Sequence, residues 1–246
     1  MSEFTISHAL KKGDKGVDVK KVQEWLCLSG ISLKVDSQFG EATEAAVEAF
    51  QKSRNFGMTG VVDDNTFAAL SSPMRMAVAE IDAQGKAVGE MVVVYAKQHL
   101  ELHPREVGGA NCGPWVRLYL DGHEGVSWYW CAGFVCFVLK QACQSLGMPM
   151  PIAPTFSCDN LAIQAIQKEI YLKEPPKAGR AKITAGSLFL NRRSTNDWNH
   201  TGIVLDAEAE VFHTIEGNTN DGGSSDGYEV CQRIRGYKGK DFVLIG

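Results

Sequence analysis

Apolar side chains recur at helical spacing in the first seventy residues. Val19, Val22, Trp25 and Leu26 form one stripe after Gly13-Asp14-Lys15-Gly16, with Asp18 expected to cap the helix and Gly30 to stop it in a left-handed turn. Ala42, Ala46, Val47 and Phe50 form a second stripe, in a helix over about Glu41–Arg54. A third, shorter helix follows Asp63-Asp64 and ends at Leu70. The connections Asp36-Ser-Gln-Phe39-Gly40 and Gly60-Val-Val-Asp63 echo each other weakly, each an acid and a turn with a threonine a few residues on, Thr43 and Thr66. The pattern predicts a three-helix module over residues 1–70. It is too poor in clustered polar chemistry to be an enzyme by itself.

Ser71-Ser72-Pro73 and Asp82–Gly89 are loop signals around a short helical candidate, Met74–Ile81, so residues 71–89 read as a linker. From residue 90 to 246 helices come first and strands later. Met91–Leu102 is an amphipathic helix candidate, and Trp128–Cys143 is apolar nearly all round, hence a buried helix. Ser187–Leu190, Thr201–Leu205, Glu210–Ile215, Tyr228–Val230 and Asp241–Ile245 have strand character, and the turns Asp206–Ala209 and Gly217–Gly227 suit an antiparallel sheet. The fold class expected is α+β: a small helical bundle, then a large helix packed on an antiparallel sheet.

Composition narrows the function classes. The chain of 246 residues is 44% hydrophobic and 22% charged, an ordinary globular balance. Residues 1–72 carry 8 Lys/Arg against 10 Asp/Glu and the rest 17 against 19, so neither part has the basic excess a nucleic-acid partner requires. The nine-residue apolar run Cys131–Leu139 is about half of the roughly 18–20 residues a bilayer needs, and no membrane insertion is expected. Met1–His8 has no basic and apolar signal pattern, and seven scattered cysteines suggest reduced thiols rather than a disulfide framework. Synthesis in the cytoplasm without a signal peptide is the expectation.

Candidate chemistry gathers in the second domain. Cys131 opens the buried helix, where the positive end of the helix dipole and free N–H groups favour a thiolate and can hold an oxyanion. His200, in Asn196-Asp-Trp-Asn-His200-Thr-Gly-Ile-Val204, is expected at the mouth of a strand beside a polar loop, a rigid mount for a base. Glu216-Gly217-Asn218 closes the next strand and lies near His200 if the two pair as a hairpin. His213 is the rival base, on the opposite face. The order Cys, His, acid follows the logic of a nucleophile, a base and a group that orients it.

Two family resemblances join this reading. Leu10-x-x-Gly13-x-x-Gly16-x-x-Val19-x-x-Val22-Gln23-x-x-Leu26, Asp36-x-x-Phe39-Gly40-x-x-Thr43-x-x-Ala46-Val47-x-x-Phe50-Gln51 and Thr66-x-x-x-Leu70 resemble the peptidoglycan-binding three-helix domain of cell-wall hydrolases, departing at Thr59-Gly60, where Asp-Gly is usual. Trp130-Cys131-Ala-Gly-Phe134-Val135, His200-Thr-Gly-Ile-Val204 and Ile215-Glu216-Gly217-Asn218-Thr219 resemble the motifs of the CHAP family, papain-like cysteine amidohydrolases related to the NlpC/P60 peptidases. Upstream, Glu106-x-x-x-x-Asn111-x-Gly113-x-x-Val116 resembles the segment before that family's nucleophile; Ser187 stands where Gly-Asp is usual.

The resemblance implies a papain-like catalytic domain over 90–246, with Cys131 as nucleophile, His200 as base, Glu216 as the orienting acid and Asn218 as a supporting polar residue. It implies hydrolysis of a stem-peptide amide of peptidoglycan through a thioester. Trp128, Trp130 and Trp198, with Tyr129, are groove candidates. No cofactor is expected. A metal-dependent peptidase using His99, His103 and His123 and a non-catalytic wall-binding protein are the competing readings; a calcium loop at Asp121–Gly125 offers too few oxygen side chains, and no metal is expected. A wall hydrolase without a signal suits a lysin released through a pore, or an effector delivered by a secretion machine and matched by an immunity protein.

Overall fold

The computed structural model describes residues 3–220, 222–224 and 226–245. Asp221 and Ser225 of the expected 217–227 loop, and Met1, Ser2 and Gly246 at the ends, lie outside the described residues. In chain order the helices are α1 (Val17–Leu28), α2 (Glu41–Ser53), α3 (Asp64–Leu70), α4 (Ser72–Ala77), α5 (Val88–Leu102), α6 (Pro114–Tyr119), α7 (Cys131–Ser145) and α8 (Cys158–Gln167). The strands are β1 (Tyr171–Leu172), β2 (Leu188–Ser194), β3 (Asp197–Ala207), β4 (Val211–Thr219), β5 (Glu229–Gly236) and β6 (Lys240–Val243), with a short 3-10 helix at Lys177–Lys182. The class is α+β. No helix among the described residues is long and apolar enough to cross a membrane.

The chain forms two compact units, Met1–Met76 with Arg105–Val126, and Ala77–Pro104 with Ser127–Gly246. Division at 70 and 90 therefore misses one exchange, because residues 105–126 cluster with the N-terminal helices. The reason is a buried guanidinium. Arg117 on α6 bonds Glu3, Glu24 and Glu124, at 2.7 Å for the shortest contact to each, and Trp115 meets Trp25 edge-on at 5.9 Å. Glu124, one of the acids of the supposed calcium loop, is committed to Arg117, Lys20 and the Gly113 N–H.

Within the first unit, the stripe residues Val19, Val22, Trp25, Leu26, Ala46, Val47 and Phe50 are buried as their spacing demands, but Ala42 is exposed and Thr43 turns inward instead. Asp18 does not cap α1. Gly16, at φ 112, is the residue before the helix, and Asp18 instead pairs with Lys21 and accepts from Ser7. Asp63 does cap α3, accepting from the Thr66 N–H at 2.8 Å.

The echo between the two connections has a cause in two buried glutamines. Gln23 on α1 accepts from the N–H groups of Asp36 and Ser37 and donates to Asp36, the Gln38 carbonyl and Thr43. Gln51 on α2 accepts from the N–H groups of Thr59 and Gly60 and donates to Thr59 and the Val61 carbonyl, with Thr66 at 3.4 Å. Each glutamine clamps the loop that leads into the next helix.

The second unit is a six-stranded sheet in the order β1-β6-β2-β3-β4-β5, every pair antiparallel. α7 packs on α5, β3 and β4. Phe189, Val204, Phe212, Tyr237 and Phe242 form a buried cluster with Ile183. Gly217 faces α7: a Cβ there would lie 2.8 Å from Phe134 and Trp130, so only glycine lets strand and helix approach this closely.

Candidate active site

β3 and β4 pair with Ile203 opposite Ile215, which sets Glu216 against Gly202 and diagonal to His200. A Cβ at Gly202 would lie 2.6 Å from the Glu216 Cγ. The glycine is thus what lets the glutamate side chain lie across the strand and reach the imidazole. The His200 Nε2 and the Glu216 Oε2 are 2.8 Å apart, with both side chains buried. His200 is the fourth residue of β3 rather than at the strand's mouth, because the strand already begins at Asp197.

Glu216 is fully hydrogen-bonded. Besides His200, Arg235 on β5 donates to Oε1 and Oε2 at 2.8 and 2.6 Å, and Thr214 donates to Oε1 at 2.6 Å. Four bonds fill the lone-pair sites of a carboxylate. Burial alone would raise its pKa, but Arg235 and His200 overcome this and hold it at about 2. Glu216 is therefore an anion at any ordinary pH.

With Nε2 committed to Glu216, the Nδ1 of His200 is buried without a conventional hydrogen bond and is the nitrogen left for the Cys131 sulfur. Burial disfavours the imidazolium, but the interactions with Cys131 and Glu216 win and raise its pKa to about 9. Cys131 is the first residue of α7. Its thiol is held well below the ordinary range by the hydrogen bond it shares with Cys158, against the cost of burial, with His200 and the Ala132 N–H adding to the effect. The two sulfurs are 3.8 Å apart. Cys131 and His200 thus bias each other toward thiolate and imidazolium, with an anchored carboxylate behind the ring.

A cavity of about 360 Å³ opens on this group, lined by Tyr129, Cys131, Phe156, Cys158, Asp159, Arg193, Asp197, Trp198, Asn199 and Asp226. Of the groove candidates, Trp198 lines it. Trp130 does not: it is fully buried and packs against Gly217. Trp128 is half-buried, edge-on to Phe156, and outside the lining, while Tyr129 is half-exposed and within it. Asn218 is buried at φ 55, and its amide makes no hydrogen bond to any described residue, so it is not joined to the Cys131–His200–Glu216 chain.

Sequence reasoning missed Cys158, Asp159, Arg235 and Thr214. Ser157, whose hydroxyl accepts from the Asn160 N–H, and the apolar spacing Leu161, Ala162, Ala165 were the signals for α8 that would have placed the first two. His213 hydrogen-bonds Asp206 at 2.6 Å and takes no part in the site.

The three histidines of the metal reading are not brought together. His99 is buried, bonded to Gln141 at 2.8 Å, and burial lowers its pKa to about 4. His103 lies past the end of α5 in a left-handed conformation and bonds Glu229, and His123 belongs to the other unit. Among the described residues the grouping that could hold an ion is Asp206, Glu208 and His213, an exposed set on the β3–β4 hairpin.

Residues 15–70 match the family described as "Putative peptidoglycan binding domain". The match spans α1, α2 and α3. No curated protein matches the chain. Among solved structures, it is similar to a fused Zn-dependent amidase/peptidase/peptidoglycan-binding domain-containing protein from Clostridium acetobutylicum, at 29% identity over 37% of this chain and 43% of that one. It is also similar to a Burkholderia AP3 phage endolysin, at 26% identity over 43% of this chain and 41% of that one. The TM-score is 0.25 in both cases. The chain spans about two-fifths of each of these relatives.

Proposed function

We propose that this protein is a cysteine-dependent peptidoglycan hydrolase of the papain-like, CHAP type. The observation that carries the reading is the buried chain Cys131–His200–Glu216, with the sulfur at a helix start and open to a 360 Å³ cavity. The match of residues 15–70 to a peptidoglycan-binding domain supplies the substrate class.

The Cys131 thiolate attacks the carbonyl carbon of a stem-peptide amide, and the tetrahedral oxyanion takes hydrogen bonds from N–H groups at the start of α7. The His200 imidazolium donates its Nδ1 proton to the departing amine, and a thioester to Cys131 remains. Water, losing its proton to His200, hydrolyses the thioester and releases the acid. Glu216 stays ionised throughout and fixes the ring through Nε2. Asp159, Asp197 and Asp226 in the cavity wall make it partly acidic, with Arg193 paired to Asp197.

The protein acts on the wall or in the periplasm, as a lysin released through a membrane pore or as an antibacterial effector with a matching immunity protein. Purified peptidoglycan digested by the full chain, with products read by mass spectrometry, tests the reading. Soluble fragments from the native protein and none from Cys131→Ala are expected. Fragment release that survives Cys131→Ala, or that a chelator abolishes and an alkylating agent does not, would overturn it.

A further inference from the structure

Cys158 is the one thiol from another element that reaches the Cys131 sulfur in any contact described above. Its Sγ is 3.8 Å from the Cys131 Sγ, within range of a sulfur hydrogen bond, although the two residues are 27 apart in sequence. Both open helices, α7 and α8, and both line the cavity while remaining buried. The start of α8 is fixed from two sides: Ser157 caps it through the Asn160 N–H, and the Asp159 Oδ1 accepts from the Trp198 N–H at 2.8 Å, tying it to β3, the strand of His200. A cysteine that merely filled space would need neither tether.

We infer that Cys158 is a positioning residue for the nucleophile, its S–H donating to the Cys131 sulfur and holding that sulfur as an anion aimed into the cavity. This rests on the reading of Cys131 as the nucleophile. The direction of the bond is set by the surroundings. Cys131 faces the His200 imidazole from β3 and the Ala132 N–H of its own helix, both of which favour an anion. Cys158 shares the helix-start position with Cys131, but burial, Asp159 on α8 and both Cys131 and Cys136 on α7 all oppose an anion there. These surroundings push Cys131 down and Cys158 up, the direction that a donating Cys158 requires. A hydrogen bond to the charged form favours that form.

The test is the pH profile of Cys131 alkylation by iodoacetamide, on the full chain kept reduced by a phosphine, with peptide mass spectrometry separating Cys131 from the other six cysteines. In the native protein the midpoint should lie well below the roughly 8.5 of a free thiol. Cys158→Ala should raise it by at least one pH unit, seen as tenfold or greater slowing below the midpoint, and Cys158→Ser, which restores a donor, should recover most of the loss. Cys158→Val fills the volume without a donor and replaces the alanine variant if that fails to fold. A donor-free variant with the native profile, or a serine variant no better than the donor-free one, overturns the inference. The readout needs no substrate. A chain inactive on peptidoglycan can still pass, and an active one can still fail.

Discussion

Both units bury polar side chains, but to opposite ends. In the N-terminal unit Gln23 and Gln51 are buried and fully occupied, each holding a loop by its backbone. In the C-terminal unit Glu216 is just as fully bonded, yet the His200 it leads to is not: among the described residues its Nδ1 has no conventional partner. Satisfied burial fixes a shape. Burial left incomplete at one end of a rigid network keeps free energy available for a ligand. The carboxylate end supplies the rigidity and the sulfur end the reactivity.

The sharpest way to break that contrast is to remove the anchored end. Glu216→Gln keeps the shape but strands Arg235 and the His200 Nε2 around a neutral amide. Breaking a buried pair of this kind costs about 3–5 kcal/mol of stability. Hydrolysis should fall about 10²–10⁴-fold through loss of ring orientation. Denaturant unfolding and kcat/KM on solubilised wall check the two effects; a variant with native kcat/KM would show that Glu216 is structural only.

The next effect is in pH. Because the His200 pKa is raised to about 9, the imidazolium that protonates the leaving amine is lost as pH rises through 9, and kcat/KM should fall tenfold per unit beyond it. The sign for stability is the same: this contribution is fully present below the unfolded value of about 6.5 and disappears through pH 9. Glu216 works in the other direction, its contribution present above the ordinary carboxylate pKa and lost as pH falls through about 2. An alkaline limb near the ordinary histidine range would mean that His200 and Cys131 do not form an ion pair. The uncharged glutamine clamps supply no such limb.

Those clamps offer the matching test in the other unit. Gln51→Leu leaves the N–H groups of Thr59 and Gly60 without their acceptor, at about 1–3 kcal/mol for each stranded donor. Hydrogen exchange on the full chain should show lost protection over residues 54–70, with the alkylation rate of Cys131 unchanged. Equal loss of protection around β3 and β4 would contradict the independence of the two networks.

How much of this was legible beforehand depended on whether the signal was local. The helical stripes of 19–26 and 46–50 and the strand runs 201–205 and 210–215 were readable because periodicity is a property of neighbours in sequence. His200 and Glu216 were legible as a pair because a hairpin carries a local signal across a short turn. Arg235 lay two strands from His200, and nothing in Glu229-Val-Cys-Gln-Arg-Ile-Arg235 distinguishes the arginine that faces Glu216 from the one at 233. Cys158 was one cysteine among seven, and only tertiary packing puts it on Cys131. Trp130 and Trp128 misled for the same reason: next to a helix start, an aromatic ring has a core to turn into as well as a groove. The segment 105–126 was assigned by its place in the chain, whereas Arg117 joins it to acids around a hundred residues away.

The smallest expected effect compares one device in the two units. Asp63 caps α3 and Ser157 caps α8, each by accepting from an N–H three residues on, at 2.8 and 3.3 Å. Replacing either by alanine should cost about 0.5–2 kcal/mol, the serine nearer the lower end because its bond is longer. Their consequences should part company. Asp63→Ala should loosen the Thr66–Leu70 turn and leave Cys131 alkylation as it was. Ser157→Ala frees the first turn of α8, where Cys158 and Asp159 sit, so it should slow Cys131 alkylation measurably while costing less stability. If both variants scale only with the stability lost, the start of α8 has no privileged connection to the sulfur, and the cap there is merely a cap.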